Sequence, residues 1–538
     1  MYSRSRGLFL VLIVLTLSAI LGGLYGTSAG ATADQASDID SSIRAFTRVL
    51  AVVEKNYAER VDVDEAIYNG AIPGMLRLLD PHSAFLDART FTVMREDQRG
   101  KYYGVGMTVA PREGRTIVQA PFPGSPASKA GIRPGDVIVR VDSKPTDGLN
   151  TSEVADLLKG PKGTVVVVEV AREGYDEVIS FTITRDEIPR HAVDQALLIQ
   201  PGIGYIRLVG FNETTDRELQ AALQKLNAAT LEGLILDLRI NPGGLLNEGI
   251  AVADMLLEKD QLIVSHRGRS SQERRYYATR GNRGVDVPLV ILMSPQSASA
   301  SEIVAGAVQD HDRGLIVGDS SFGKGLVQTV YNMRENTGLA LTTARYYTPS
   351  GRLIQREYKD VSLYEYHTKR GKNGDAPAEV KLTDSGRQVY GGGGISPDVA
   401  VTPPKLTRFQ QTLLRRDVFA LFEQAVGGFT RFYLGSRPHV TREFTADDVV
   451  LSDFRRYLDS KKIEFSETDI VENLRWIQQK IRREVLLSVF GLDEGFKVAL
   501  EDDIQVQKAI EVLPEARALY ENAKRVIAQR RNGSDDRR

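Results

Sequence analysis

Between positions 39 and 97 apolar residues recur at helical spacing, with Phe46, Val49, Leu50 and Val53 on one face. The spacing predicts helices interrupted by a turn at Leu79-Asp80-Pro81-His82-Ser83. From Gly100 to Glu187 the pattern changes to short β-runs divided by Gly/Pro turns: 105–109, 116–120, 136–141, 164–170 and 178–184. One helix, at 151–158, interrupts them. From Gly202 to Thr348 strands at 203–208, 233–238, 287–293, 315–317 and 339–346 alternate with helices at 215–226, 245–257 and 301–309. Such alternation predicts an α/β core. A polar stretch at 364–376 reads as a surface excursion and 391–394 as a flexible or tight turn. After Pro403-Pro404 the pattern is helical, with amphipathic pieces at 409–426, 470–489 and 515–528 and a frayed end from Arg530. No internal repeat is present.

The N-terminus has the order of a secretory signal: Arg4 and Arg6, an apolar run over 8–25, then Ala29-Gly30-Ala31. As a helix the run spans about 27 Å, just under the ~30 Å hydrocarbon thickness of a bilayer. A cleaved signal and a retained membrane anchor therefore both remain open. Either places the remainder outside the cytoplasm, in the periplasm or cell envelope. No later stretch of sequence is long and apolar enough to span.

Composition then narrows the chemistry. The 538 residues include 69 Lys+Arg, 70 Asp+Glu, six histidines and no cysteine. Disulfides, thiolate metal sites and cysteine nucleophiles are excluded, and the balanced charge argues against nucleic-acid binding. The nearest two histidines are 45 positions apart, so no HExxH-type metal site exists. Neither a metal nor a cofactor is expected.

The chemistry-bearing segment begins with Ser297-Ala-Ser-Ala-Ser301-Glu302. A strand ending at Met293 feeds small residues into a helix, which exposes a serine beside the positive end of the helix dipole. That position suits a nucleophile whose attack creates an oxyanion. Ser299-x-x-Glu302 equally matches a capping box, and on this segment alone both readings stand. Next comes Gly318-Asp-Ser-Ser-Phe-Gly323-Lys324-Gly325, close to a phosphate-binding loop. That loop requires Ser or Thr after the lysine and a helix beyond it, whereas Gly325 and a β-like run follow here. A lysine among glycines and apolar residues is instead a candidate base, since burial disfavours the charged amine. Activity governed by such a lysine should rise with pH. Serine with lysine makes a hydrolase needing neither histidine nor metal.

Residues 297–310 and 317–328 resemble the carboxy-terminal processing proteases, PDZ-containing Ser/Lys endopeptidases. The resemblance implies Ser299 as nucleophile, Lys324 as general base and Gln328 as the residue that holds the amine. It extends to Asp237-Leu-Arg-Ile-Asn-Pro-Gly-Gly244, which implies that Gly243 or Gly244 joins the N–H of Ala300 in an oxyanion hole. Further similarities at 79–83, 344–351 and 393–398 read as scaffold, with His82 a turn residue. Gly124-Ser-Pro-Ala and Lys129-Ala-Gly-Ile-Arg-Pro-Gly-Asp-Val-Ile138 are similar to the turns and strand of the family's PDZ domain. Tyr103, Gly104, Val105 and Gly106 then match its carboxylate-binding loop.

The expected organisation is α/β multidomain: an α/β Ser/Lys protease core with an inserted β-rich PDZ domain, a helical N-terminal segment and a helical C-terminal extension. Its boundaries are 1–31 for the signal or anchor, 35–98 for the N-terminal helices, 99–187 for the PDZ domain, 188–404 for the core and 405–538 for the extension. The resemblance implies an envelope endopeptidase that captures exposed protein C-termini and a resting form switched on by substrate or a partner. Protein or peptide substrates are the expected partners, with an adaptor, an activator and a homo-oligomer left open, as is the role of 405–538. The competing class is a non-catalytic PDZ adaptor on a degenerate protease fold, against which the intact Ser/Lys/Gln set argues. Six arginines between His266 and Gly284 read as a solvated hairpin in preference to an anionic-polymer site.

Overall fold

The computed structural model describes residues 38–535 except 113, 283–285, 360, 369–378, 417, 420–427 and 437–438. The apolar run at 8–25 and the small residues at 29–31 lie outside the described residues. Among those described, no helix is long and apolar enough to cross a membrane.

Two units divide after Phe85. In the first, a helix covers 38–56 and exposes Ile39, Ile43, Phe46, Val49 and Val53. A second helical run follows, π-helical over Ala66–Ala71 and α-helical over Ile72–Arg77. The Asp80 carboxylate accepts the N–H groups of His82 and Ser83, both at 2.8 Å, and the Ser83 hydroxyl at 2.7 Å. Asp80 thus organises the 79–83 turn that contains His82.

The second unit starts with α1 (Ala88–Arg99), capped by Asp87 and ended by left-handed Gly100. The β-rich segment follows: β1 (Lys101–Gly104), β2 (Met107–Arg112), β3 (Arg115–Pro121), α2 (Pro126–Ala130), β4 (Val137–Val141), α3 (Thr151–Leu158), β5 (Val165–Ala171), β6 (Ile179–Thr184) and β7 (Asp186–Pro189). Strands β2-β3-β4-β5-β6 form an antiparallel sheet with β2 at its edge, and β1 pairs with β7. Val118, Ile138, Val166, Val168 and Ile183 close around Val154 and Leu158 of α3. The four-residue β1 and β7 had no legible alternation.

The core comprises β8 (Val193–Gln200), β9 (Ile203–Leu208), α4 (Thr215–Lys225), β10 (Gly233–Asp237), α5 (Leu246–Leu256), β11 (Leu262–Arg267), β12 (Arg274–Tyr277), β13 (Leu289–Met293), α6 (Ala300–Asp310), β14 (Leu315–Gly318), β15 (Leu326–Asn332), β16 (Gly338–Tyr347) and β17 (Val399–Ala400). The sheet order is β8-β9-β10-β13-β14-β17, parallel except for β8 against β9. Every residue of β10 and β13 is buried, as central parallel strands covered on both faces must be. Alternate side chains divide between two apolar layers. Leu234, Leu236, Ile291 and Met293 pack among α4, α5 and α6, while Ile235, Val290 and Leu292 meet residues beyond 500. A second sheet joins β11, β12, β15 and β16.

The last helices are α7 (Arg408–Arg415), α8 (Phe429–Ser436), α9 (Asp448–Ser460), α10 (Glu467–Glu472), α11 (Leu474–Phe490), α12 (Leu492–Glu501), α13 (Ile504–Glu511) and α14 (Leu513–Asp535). Residues of α7 to α11 share an apolar core built on Phe409, Leu413, Phe429, Phe454, Ile477 and Ile481. Val506, Ala509, Val512, Leu513 and Ala516 instead cover the second face of the α/β sheet. Helix α14 runs to Asp535, past the fraying expected from Arg530.

The arginine-rich segment is the β11–β12 hairpin and its sequel. Arg280 meets Asp216 and Asp254, Arg275 meets Glu273, and Arg267 lies over the Tyr347 ring.

His311 caps the C-terminal end of α6, and both ring nitrogens face acceptors, the Asp384 carboxylate and the Leu262 carbonyl, each at 2.7 Å. A neutral imidazole has one donor and cannot satisfy both. Burial opposes the charge, but Asp384 and the carbonyl prevail, and the pKa lies above the ordinary histidine value. A raised folded-state pKa gives stabilisation that is complete below about pH 6.5 and is lost as pH rises through the folded value. Wild-type protein should therefore melt lower at pH 9 than at pH 6, by a margin that shrinks in His311→Gln. Equal pH dependence of the two melting temperatures would remove His311 as the source.

Candidate active site

Loops from the C-terminal ends of β10, β13 and β14 converge, which is where open α/β sheets form their sites. The β13 loop enters α6 through Ser299, whose φ of +56° is outside ordinary territory for a residue with a side chain. Its neighbours in the serine run are committed elsewhere. Ser297 donates to the Leu238 carbonyl at 2.8 Å and Ser301 to the Asn241 carbonyl at 2.9 Å, and both are fully buried. Ser299 alone of the three lines a cavity of about 600 Å³, together with Lys324, Gln328, Gly243 and Gly244.

Lys324 lies in the turn between β14 and β15. Its Nζ donates to Gln328 Oε1 at 2.8 Å, and both side chains are half-buried. Gly323 has φ +88°, and a Cβ there would sit 2.9 Å from the Arg356 side chain and 3.1 Å from the Gly394 nitrogen. Glycine is what lets this turn press against its neighbours. Strand β15, not a helix, follows Lys324, which removes the phosphate-loop reading.

The β10 loop carries the Asn-Pro-Gly-Gly run. Asn241 Nδ2 donates to the Leu208 carbonyl at 3.1 Å, and its Oδ1 accepts the Gly243 N–H at 2.9 Å. Its carbonyl accepts the Ala298 N–H at 3.2 Å. A Cβ on Gly243 would come within 2.8 Å of Ser299 Cβ and 2.9 Å of the Ala300 nitrogen, so only glycine fits against the Ser299 turn. Of the two glycines singled out in the sequence, Gly243 has its N–H engaged within its own loop. The Gly244 and Ala300 N–H groups have no hydrogen-bond acceptor among the described residues.

Glu302 joins these pieces. Its fully buried carboxylate accepts the Ser299 N–H at 2.7 Å, the Lys324 N–H at 3.0 Å, the Gly323 N–H at 2.6 Å and the Ser321 hydroxyl at 2.5 Å. Burial pushes its pKa up, against the pull of those four donors. Three of them are N–H groups, which only an acceptor can satisfy. Tyr346 adds a second bridge, its hydroxyl 2.5 Å from the Lys324 carbonyl and 3.2 Å from the Ser299 carbonyl. Burial drives the Tyr346 pKa far above the ordinary phenol value, so the hydroxyl remains a donor. Sequence reasoning treated Glu302 as a cap and Tyr346 as scaffold. The signal for Glu302 was its place three residues after the serine, and nothing local tied it to Gly323 or Lys324.

At the second predicted site, Tyr103 and Gly104 are held in the β1–β7 pairing. Val105 and Gly106 follow, with carbonyls that accept the N–H groups of Ala127 at 2.8 Å and Phe122 at 3.0 Å. Their own N–H groups have no acceptor among the described residues. The loop opens onto edge strand β2, alongside α3. No cluster of three or more His, Asp or Glu side chains suited to a metal occurs among the described residues.

Residues 202–362 match Peptidase family S41, and 117–172 match the PDZ domain. The carboxy-terminal-processing protease of Bartonella bacilliformis is 42% identical over 315 residues, which cover 58% of this chain and 72% of that protein. A carboxy-terminal processing protease of Bacillus subtilis is 32% identical over 396 residues, 71% of this chain and 84% of its own. The chloroplastic C-terminal processing peptidase of Tetradesmus obliquus is 38% identical over 300 residues, 52% of this chain and 64% of that protein. With an α/β core, a PDZ domain and relatives of this identity and coverage, the chain belongs to the carboxy-terminal processing proteases, serine peptidases of family S41.

Proposed function

We propose that this protein is an exported envelope endopeptidase that captures exposed protein C-termini on its PDZ domain and cleaves near them through a Ser/Lys acyl-enzyme. The observation that carries the reading is the single cavity shared by Ser299, Lys324 and Gln328, with the Lys324 amine held at 2.8 Å by Gln328. Envelope placement rests on the order of basic, apolar and small residues at the N-terminus.

In the first step Ser299 Oγ bonds to the scissile carbonyl carbon while neutral Lys324 takes the hydroxyl proton. The oxyanion that forms is met by N–H donors at the start of α6 and in the Gly243-Gly244 loop, Ala300 and Gly244 being the uncommitted pair. Collapse breaks the C–N bond, and Lys324 returns the proton to the departing amine. Water then attacks the ester, passing its proton through Lys324 to Ser299 Oγ, and the new carboxylate leaves. Gln328 accepts from the amine and keeps it aimed without supplying charge.

On the PDZ domain, a substrate C-terminus would pair along β2 as an added strand and place its carboxylate on the Val105 and Gly106 N–H groups. An unfolded protein with a free C-terminus should therefore be cleaved at least about 10-fold faster than its C-terminally amidated form, the loss of one charge-assisted contact. Ser299→Ala supplies the background rate. Equal rates for free and amidated substrate would count against carboxylate capture while leaving the peptidase intact.

A further inference from the structure

The C-terminal extension covers the second face of the α/β sheet, and one contact between them reaches the oxyanion loop. Arg239 stands two residues after the end of β10 and opens the segment Ile240-Asn241-Pro242-Gly243-Gly244. Its guanidinium is gripped from two directions. On one side Nε and Nη2 meet the Asp237 carboxylate at 2.6 to 3.0 Å, and Asp237 also accepts the Tyr205 hydroxyl at 2.6 Å. On the other side Nη1 lies 2.7 Å from Asp503 Oδ2 and 2.9 Å from Gln505 Oε1, more than 260 residues along the chain.

Both partners are themselves fixed. Asp503 caps α13, its Oδ1 accepting the N–H groups of Gln505 at 3.0 Å and Val506 at 3.2 Å. Gln505 Nε2 donates to the Val401 carbonyl at 2.7 Å, just beyond β17. The Arg239 carbonyl accepts the hydroxyl of Ser294, the first residue of the nucleophile loop. Thus the side chain of Arg239 is held by the extension, its backbone touches the Ser299 loop, and the next residues carry Gly243 and Gly244. Asn241 relays the same placement to Ala298 and Ser301.

We propose that Asp503 and Gln505 are positioning residues for proteolysis: by clamping Arg239 they fix the loop that places the oxyanion donors against Ser299. The inference rests on the Ser/Lys reading above and assigns a catalytic purpose to the extension, whose role the sequence left open. Association of the clamp with the sheet is not incidental, because α13 and α14 bury the second face of β10 and β13 directly beneath these loops. An interaction that serves the oxyanion is felt in the transition state and hardly in substrate binding.

Asp503→Asn tests this cleanly. Asparagine retains the capping oxygen for α13 but turns an N–H₂ toward Arg239 in place of a carboxylate oxygen. With an unfolded-protein substrate, kcat should fall about 10-fold with KM and melting temperature little changed, the signature of a displaced reacting geometry. Gln505→Ala should act in the same direction, and Asp503→Asn/Gln505→Ala should not exceed the product of the two. Wild-type kcat in Asp503→Asn overturns the clamp. So does a fall in kcat that tracks a lowered melting temperature and disappears on cooling, since that is stability alone. Ser299→Ala in the same assay separates the two levels: if it cleaves normally, the protease mechanism fails and not merely the clamp.

Discussion

Ser299→Ala should reduce cleavage of an unfolded protein to background, a loss of at least about 10⁴-fold in kcat, and Lys324→Ala should do the same. The two groups act on one proton, so the double variant should be no slower than either single one. Neither change disturbs the backbone bonds that build the site. The Ser299 and Lys324 N–H groups would still reach Glu302, and the Tyr346 bridge uses their carbonyls. Melting temperatures should accordingly remain near wild type, which makes loss of activity attributable to chemistry. Wild-type cleavage by both variants would remove Ser299 and Lys324 from the chemistry. Retained activity in Ser299→Ala alone would move the nucleophile elsewhere, although Ser297 and Ser301 are already committed to carbonyls of the β10 loop.

The second large effect is expected at Glu302. Glu302→Gln keeps the volume but replaces one acceptor oxygen with a donor. Whichever way the amide turns, one pair of donors loses its acceptor: Ser299 and Lys324, or Gly323 and Ser321. Each buried N–H left unsatisfied costs about 1–3 kcal/mol, so melting should fall clearly. The effect on catalysis should be larger than stability explains. The nucleophile turn and the lysine turn are joined through this one carboxylate, and an error near 1 Å between reacting groups costs about 100-fold. Measured well below the melting point, kcat should fall by about that factor with KM changed little. Glu302→Asp retains the charge but is one methylene shorter, and it should recover part of the rate. A wild-type kcat in folded Glu302→Gln would reduce Glu302 to the helix cap that its spacing first suggested.

How much of this was legible follows from which contacts are local. Most strand and helix positions in the core were legible because β13 is a continuous apolar run, β10 is apolar up to Asp237, and α4 and α5 are amphipathic over whole turns. Strands β1 and β7 were missed at four residues each, too short for a period of two to register, whereas the β11–β12 hairpin was read as a hairpin without its strands being bounded. Strand β8 was missed because Val193-Asp-Gln-Ala-Leu-Leu-Ile-Gln200 lacks clean alternation; it pairs at the sheet edge through its backbone.

The candidate site divides the same way. Ser299, Lys324 and Gln328 were named together through the resemblance of 297–310 and 317–328 to a known family, whereas the local residues alone left Ser299 open between nucleophile and cap. Lys324 and Gln328 lie four apart and touch directly. The sequence by itself determined the absence of any thiol and the alternation that makes an α/β core, and through resemblance the turns of a PDZ domain. Tertiary structure alone decided that Ser297 and Ser301 are spent on backbone carbonyls, that the Gly243 N–H is spent on Asn241, that Glu302 ties two turns together, and that Asp503 and Gln505 meet Arg239. The reason is physical. Periodicity and turn chemistry report how a residue relates to neighbours a few positions away, whereas a buried carboxylate or a half-buried guanidinium is defined by the partners that folding brings to it from 19 to 266 positions distant.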